Sequence, residues 1–388
     1  MELIPVGLKP RTAGSETISG SRARQEAVSS SRFLTGAAPS NCFNADRTEH
    51  TERWSSRTAG RITAVVIAVA GILAAYDFST ANGQDSPGRP LRIAFSSLRD
   101  RPAFASLYLY DHDGTSQGKL WKALPQTAEK GDTHASLTSD GAWCLYTSKQ
   151  VGGFGPLARL YDVKQNALAA DPEFNQNFAA RTEVTLSGDG RWIALCAWDQ
   201  PGQPGGWDVL LWDRKSQRFV DLPGLNSDAN EREVAISGDG RWIAFLSDRP
   251  GGAGLADLFL YDREAGKLVP LPGVNTAARE LNPALNADGS VLAFVSDRTG
   301  GSGGKDIYVL DRATGRPSAP EGLNSAAHEQ TPGFSPDGRF LVFVSERTRG
   351  AGERDVYLYD RQRKSLLPTP GLNSAAEDFD PVVSFIDE

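Results

Sequence analysis

From residue 91 onward the chain repeats itself every 49 or 50 residues. A repeat of that length confines the fold to small units that are stable only when stacked on one another. The clearest marker is an Asp-Gly pair between apolar runs, at Asp140, Asp189, Asp239, Asp288 and Asp337. A second marker is an alternating run that ends in aspartate. It occurs six times, as Leu107 to Asp111, Arg159 to Asp162, Val209 to Asp213, Leu258 to Asp262, Ile307 to Asp311 and Val356 to Asp360. Alternation with a period of two is the signature of a strand. Asp-Gly between two such runs signals a hairpin, and its usual two-residue turn requires positive φ at both residues.

Each repeat therefore reads as four antiparallel strands. The first ends before Asp-Gly and the second follows it, as in Trp242 to Ser247, Val291 to Ser296 or Leu341 to Ser345. The third is the aspartate-ending run. A weaker fourth, as in Lys267 to Leu271, leads into the next repeat through turns such as Pro223 to Ser227. A four-stranded sheet has two apolar faces, and radial stacking buries both while protecting the strand edges. The repeat region opens at Leu91 without a first strand, and Phe379 to Ile386 supplies an isolated one. The expected fold is thus all-β: a six-bladed β-propeller over residues 91–388, its first blade closed by the C-terminal strand. Forty glycines and twenty-three prolines suit so turn-rich a chain.

The N-terminal part is different in kind. Residues 1–61 are rich in Ser, Thr, Arg and Ala, lack apolar periodicity, and read as a disordered basic segment. Arg57 and Arg61 precede an apolar run from Ile62 to Tyr76, 15 residues long, where a spanning helix needs ~20. With Ser79, Thr80 and Ala81 behind it, the stretch 62–81 reads as a signal peptide or membrane anchor, followed by a linker over 82–90. Both alternatives place the propeller outside the cytoplasm, periplasmic or secreted, or held to a membrane through residues 62–76.

Charge narrows the partners. Residues 1–61 hold nine basic and six acidic residues, which leaves −10 on the remainder of a chain whose formal charge is −7. An acidic body without a basic stripe excludes nucleic acid. The expected partner is a protein or peptide of the cell envelope, with membrane contact only through the N-terminal segment and the chain itself monomeric. Cys42, Cys144 and Cys196 have no redox or metal-ligand spacing. Cys144 and Cys196 lie in apolar runs and read as small buried residues rather than a disulfide.

The segment Ser335-Pro336-Asp337-Gly338-Arg339, followed by Leu341 to Ser345 and then Asp355-Val356-Tyr357, resembles the WD40-like (PD40) repeats of TolB-type propellers. The likeness covers residues 91–388. Ser187-Gly188-Asp189-Gly190-Arg191 and Asn286-Ala287-Asp288-Gly289 keep the Asp-Gly and lose the proline. The resemblance implies a propeller without the α/β domain that precedes it in TolB, and it speaks to fold more than to function.

Candidate site residues follow from the repeat. Counting eight positions back from each Asp-Gly aspartate, and from the aligned Ile386, gives Asp132, Arg181, Glu231, Glu280, Glu329 and Asp378. Strand one of each blade lines the central channel, so these side chains are expected to ring its mouth, where a field of one sign attracts a basic peptide or a metal ion. The competing reading makes each carboxylate an acceptor for amides of its own crossing loop. The triplets Ser247-Asp248-Arg249, Ser296-Asp297-Arg298 and Ser345-Glu346-Arg347 lie on the same face and read as inter-blade pairing.

No catalytic residues emerge. Gly114 to Gly118 fits GxSxG but falls in a hairpin instead of a strand-to-helix elbow. Gly300 to Lys305 suggests a phosphate loop but precedes a strand, without a helix dipole. His50, His112, His134 and His328 are scattered, and only His134 and His328 fall near the expected mouth. The function expected is protein or ligand binding without a cofactor. The alternative is a hydrolase or lactonase-type enzyme using a divalent cation in the channel.

Overall fold

Strands that are apolar on both faces need cover on both faces, and here six small sheets standing around one axis provide it. The computed structural model describes residues 89–125, 131–149, 156–170, 175, 181–200 and 202–387. The disordered basic segment 1–61, the signal or anchor segment 62–81 and linker residues 82–88 lie outside the described residues, as does Cys42.

Every sheet has four antiparallel strands, called a to d from the axis outward. Blade I joins the C-terminal strand Asp378–Phe385 to Leu91–Ser97, Ser106–His112 and Gly118–Leu120. The innermost strands of blades II to VI are Asp132–Leu137, Arg181–Leu186, Glu231–Ile236, Glu280–Leu285 and Glu329–Phe334. The ring closes as the repeat predicts. Leu91 pairs with Phe385, Ala94 with Val382 and Ser97 with Asp378. The Ile386 amide donates to Pro90 O at 3.0 Å, and Arg89 forms an ion pair with Asp387.

Burial follows the alternation. Strand b is the most enclosed, and every residue of Val291–Ser296 and Phe340–Ser345 is buried. Six apolar clusters fill the seams, one for each neighbouring pair of blades. Leu258 and Leu260 of blade IV meet Leu292, Phe294 and Leu310 of blade V. Phe340, Val342 and Leu358 of blade VI meet Leu91, Ile93 and Phe95 of blade I, so the last seam is built like the others. Cys144 and Cys196 are buried free thiols inside strand b.

The Asp-Gly hairpin departs from the expected geometry. Only the glycine is left-handed, at φ 70° in Gly190 and 71° in Gly240, and the aspartate before it is not. Gly190 N donates to Ser187 O at 2.9 Å, which makes Ser187 to Gly190 a type I turn followed by a left-handed glycine. The side chains decide this. Asp189 Oδ1 accepts from Ser187 Oγ (2.5 Å) and from the Arg191 amide (2.9 Å), locking the longer turn.

These hairpins gather at one end of the axis and close it. Ser139 N donates to Gly188 O (2.9 Å), Asp189 N to Gly238 O (3.2 Å), Asp239 N to Ala287 O (2.9 Å) and Ala287 N to Pro336 O (2.9 Å). Backbones this close leave no room for side chains. A Cβ on Gly238 would sit 2.8 Å from Ala287 Cα. We expect Gly238→Ala to force the hairpins apart and cost about 1–3 kcal/mol, measured as a lower denaturation midpoint. An unchanged midpoint would show that this end is loose.

Candidate functional site

At the opposite end lie the b-to-c loops and the crossings from strand d to the next strand a. Glu231, Glu280, Glu329 and Asp378 each begin a strand a, paired with the last residue of strand b: Ser247, Ser296, Ser345 and Ser97. All four are completely buried. Glu280 accepts from Ser296 Oγ (3.0 Å), Thr276 N (3.1 Å), Thr276 Oγ1 (2.7 Å) and Arg298 Nη2 (3.1 Å). Glu231 and Glu329 repeat this pattern with Arg249 and Arg347, and Asp378 holds Arg99 at 2.7 Å. Asp132 is buried at the same place in blade II, and Arg181 stands there in blade III.

The five carboxylates, Asp132, Glu231, Glu280, Glu329 and Asp378, are buried away from the channel, which corrects the expected mouth. The reason is physical: a buried carboxylate needs several donors, and the crossing loop supplies them only when the side chain turns into the blade. The arginine of each Ser-Asp-Arg triplet belongs to the same clamp. Arg298 lies over the stacked rings of Phe294 and Tyr308, 5.2 and 4.6 Å from their centroids, and donates to Val274 O at 2.5 Å. Asp297 turns away to accept the Arg279 amide at 2.8 Å.

The channel ring stands two residues further on. There the ladder between strands a and b slips, between Arg232 and Ala235, between Leu281 and Ala284 and at the matching places in the other blades. The residue at the slip is left-handed: His134 (φ 53°), Glu233 (50°), Asn282 (47°), Thr331 (46°) and Asp380 (50°). Glu183 holds the equivalent position in blade III. For His, Glu and Thr such a backbone costs of order 1–3 kcal/mol, and it persists only where neighbours enforce it. All six residues line an axial cavity of about 260 Å³.

At Asn282 the bulge turns the backbone amide toward the neighbouring blade, where it meets the ring residue Glu233. Glu233 Oε2 accepts from Asn282 N at 2.5 Å and from Asn282 Nδ2 at 3.4 Å. The backbone amides of Val234 and Glu233 lie close enough to the Glu183 carboxylate to favour its charged form. His134 Nε2 lies 3.7 Å from Asp380 Oδ2. Burial, then the charges of Glu233 and Asp380, push the Glu183 carboxyl up to about 8. Burial also raises Glu233, against its Asn282 bond and the more distant Lys305 and Arg232. The ring thus offers three crowded carboxylates, an imidazole, an amide and a hydroxyl: chemistry suited to holding a cation.

The remaining motifs resolve into structure. Gly303 N in the glycine-rich loop Gly300 to Lys305 points at Asp306, 3.2 and 3.3 Å from its carboxylate oxygens, so this loop cradles an internal anion. In Gly114 to Gly118 the amides of Thr115, Ser116 and Gln117 converge on Asp113 Oδ1. His112 is buried against Pro368 O, and His328 bridges to Lys305 beside the crossing, so among the described residues His134 alone of the histidines enters the channel. Among the described residues, no group of three or more His, Cys, Asp or Glu side chains is arranged to hold a metal ion. The ring had a signal in the repeat. Six positions before each Asp-Gly aspartate stand His134, Glu183, Glu233, Asn282 and Thr331, always polar and seldom alike.

No family model and no curated protein matches the chain. Among solved structures, TolB from Acinetobacter baumannii is similar with a TM-score of 0.51 and 21% identity, over 76% of this chain and 66% of that one. Hydrazine synthase of Kuenenia stuttgartiensis gives 0.53 at 10% identity, over 78% of this chain and 47% of that one. A putative TolB from Agrobacterium tumefaciens gives 0.45 at 17% identity, over 77% and 99%. The chain therefore spans slightly less than two thirds of the first of these and about half of the second. At such identities the likeness is one of fold.

Proposed function

We propose that this TolB-like propeller works outside the cytoplasm as a binding module of the cell envelope, taking a protein or peptide at the open end of its channel and catalysing no reaction itself. One observation carries the reading: a ring of unlike polar side chains, one per blade, surrounds a cavity, and five of the six are held in costly left-handed backbone. The clamps of blades I, IV, V and VI use the same residue types from blade to blade, as structural positions do. The ring varies, as a recognition surface must to fit an asymmetric partner. The location rests on the segment 62–81, whose basic flank and apolar run suit export or anchoring.

The test is to replace Thr331, in the ring, and separately Leu168, on an exposed outer strand, by a photoactivatable amino acid in the full chain, and to irradiate host cells. A discrete adduct is expected from position 331 and none from 168. The combined change Glu233→Gln and Asp380→Asn should abolish it. An adduct from position 168 alone would put the contact on the outer rim and overturn this reading.

A further inference from the structure

Blade III departs from its neighbours at the open end in a way the fold does not require. In blades I, IV, V and VI, Arg99, Arg249, Arg298 and Arg347 each lie over an aromatic pair of strands b and c. In blade IV the rings are Phe245 and Phe259, 5.4 and 4.5 Å from the guanidinium. Blade III has leucines, Leu195 and Leu210, at those places. Its aromatic pair stands instead at the rim end of the same two strands, as Trp198 and Trp207, and Asp199 occupies the position of the arginine.

Trp198 takes the place of Asp248 in blade IV and Asp297 in blade V, carboxylates that accept the crossing amides of Asn230 and Arg279 at 2.7 and 2.8 Å. It is 48% exposed and meets the half-buried Trp207 edge to face, with centroids 5.6 Å apart and planes at 66°. The corner is firmly held. Trp207 N donates to Asn230 Oδ1 at 3.3 Å, and Gly206 lets the Trp198 ring lie against the turn, since a Cβ there would be 2.9 Å from its Cζ3. Aromatic rings elsewhere on the surface carry a guanidinium: exposed Phe104 has Arg101 at 5.2 Å, and Trp192 lies between Arg191 and Arg263 at 4.2 and 4.3 Å. Among the described residues no guanidinium covers Trp198 or Trp207, and the exposed Asp199 carboxylate has neither an ion pair nor a hydrogen bond.

We propose that this corner is an arginine socket whose arginine comes from the partner: the guanidinium stacks on Trp198 and Trp207 and pairs with Asp199. The inference rests on the binding reading above and names one group of the partner. Charge complementarity selects the occupant. The chain after residue 61 carries −10, and the corner sets aromatic faces, negative in their quadrupole, beside an unanswered carboxylate. A guanidinium meets both demands at once, because it is flat enough to stack and keeps N–H donors for the carboxylate, whereas an ammonium is a point charge.

The test is NMR of the full chain with isotope-labelled tryptophan, titrated with N-acetyl-arginine amide and followed through the indole N–H signals. Those of Trp198 and Trp207 should shift saturably, with a dissociation constant on the order of 10 mM for one stacked and paired cation. Those of Trp192 and Trp242, already covered by arginines, should stay in place. N-acetyl-citrulline amide, of the same shape without charge, should bind at least about tenfold more weakly, and N-acetyl-lysine amide should also bind more weakly than arginine. Asp199→Asn should weaken arginine by about two- to fivefold, and the comparison of ligands on the wild type stands without that variant. Citrulline binding as well as arginine would overturn the role of charge, and lysine binding as well would overturn the guanidinium assignment. Absence of a saturable shift, with the adduct from position 331 still forming, would overturn the inference and leave the binding reading in place.

Discussion

Replacing Glu183 by glutamine is expected to stabilise the protein at pH 8 and above and to change little at pH 4. The folded Glu183 carboxyl is raised to about 8, whereas in the unfolded chain it titrates near an ordinary glutamate at about 4.3. Between those values the native state holds a proton that the unfolded state has lost, so stability falls as pH rises through the window and is flat on either side. The full loss is on the order of 5 kcal/mol, an upper bound because the ring is partly open to water. Glutamine keeps an oxygen for the amides of Glu233 and Val234 and has nothing to ionise. Urea denaturation of both proteins at pH 4, 6, 8 and 9 should show curves that diverge with pH, the variant gaining about 2–4 kcal/mol by pH 8. Curves that stay parallel would mean that Glu183 is ionised at no cost and that the ring is better solvated than its geometry indicates.

The propeller was legible in the sequence because its markers are repeated local chemistry. Asp-Gly turns and aspartate-ending runs recur at fixed spacing, and a period of two cannot be mistaken for a helix when it recurs six times. Strand b came out to the residue in Trp242–Ser247 and Val291–Ser296. The channel ring was not legible. Finding it requires knowing that the strand slips at Glu233 and Asn282, and the slip carries no glycine to announce it. A shift in register turns one residue inward in place of another. The prominent acidic column, Glu231, Glu280 and Glu329, therefore belongs to the clamps, and the mixed column two residues later faces the cavity. Near-uniformity was the misleading signal: like residues at the same place in successive repeats answer like needs of the fold. The turn type was hidden for a related reason, since Ser187 and Asp189 fix it through their side chains rather than through backbone preference.

The largest loss of stability is expected from cutting a clamp. Arg298→Ala leaves the carboxylate of Glu280, fully buried, without its counter-charge, and removing one partner of a buried pair costs about 3–5 kcal/mol. Stacking over Phe294 and Tyr308 is lost with it. Replacing both residues, Arg298→Leu with Glu280→Leu, should recover much of that loss because no charge remains unanswered. The measurement is a double-mutant cycle from urea midpoints at pH 7, and purely additive losses would mean that the two residues do not act as a pair. The same logic marks a weaker seam. In blade III, Ala197 and Asp199 stand where blade IV has Ser247 and Arg249, so the clamp cannot form. Beside it Asp208 is buried with Oδ2 lacking a partner, and burial pushes its carboxyl up to about 6. Backbone amides of Trp192–Trp198 should therefore exchange with deuterium faster than those of Val291–Ser296, although both strands are central and equally paired. Equal protection would show that the rim clamps leave local opening unchanged and that the apolar seams alone hold the blades together.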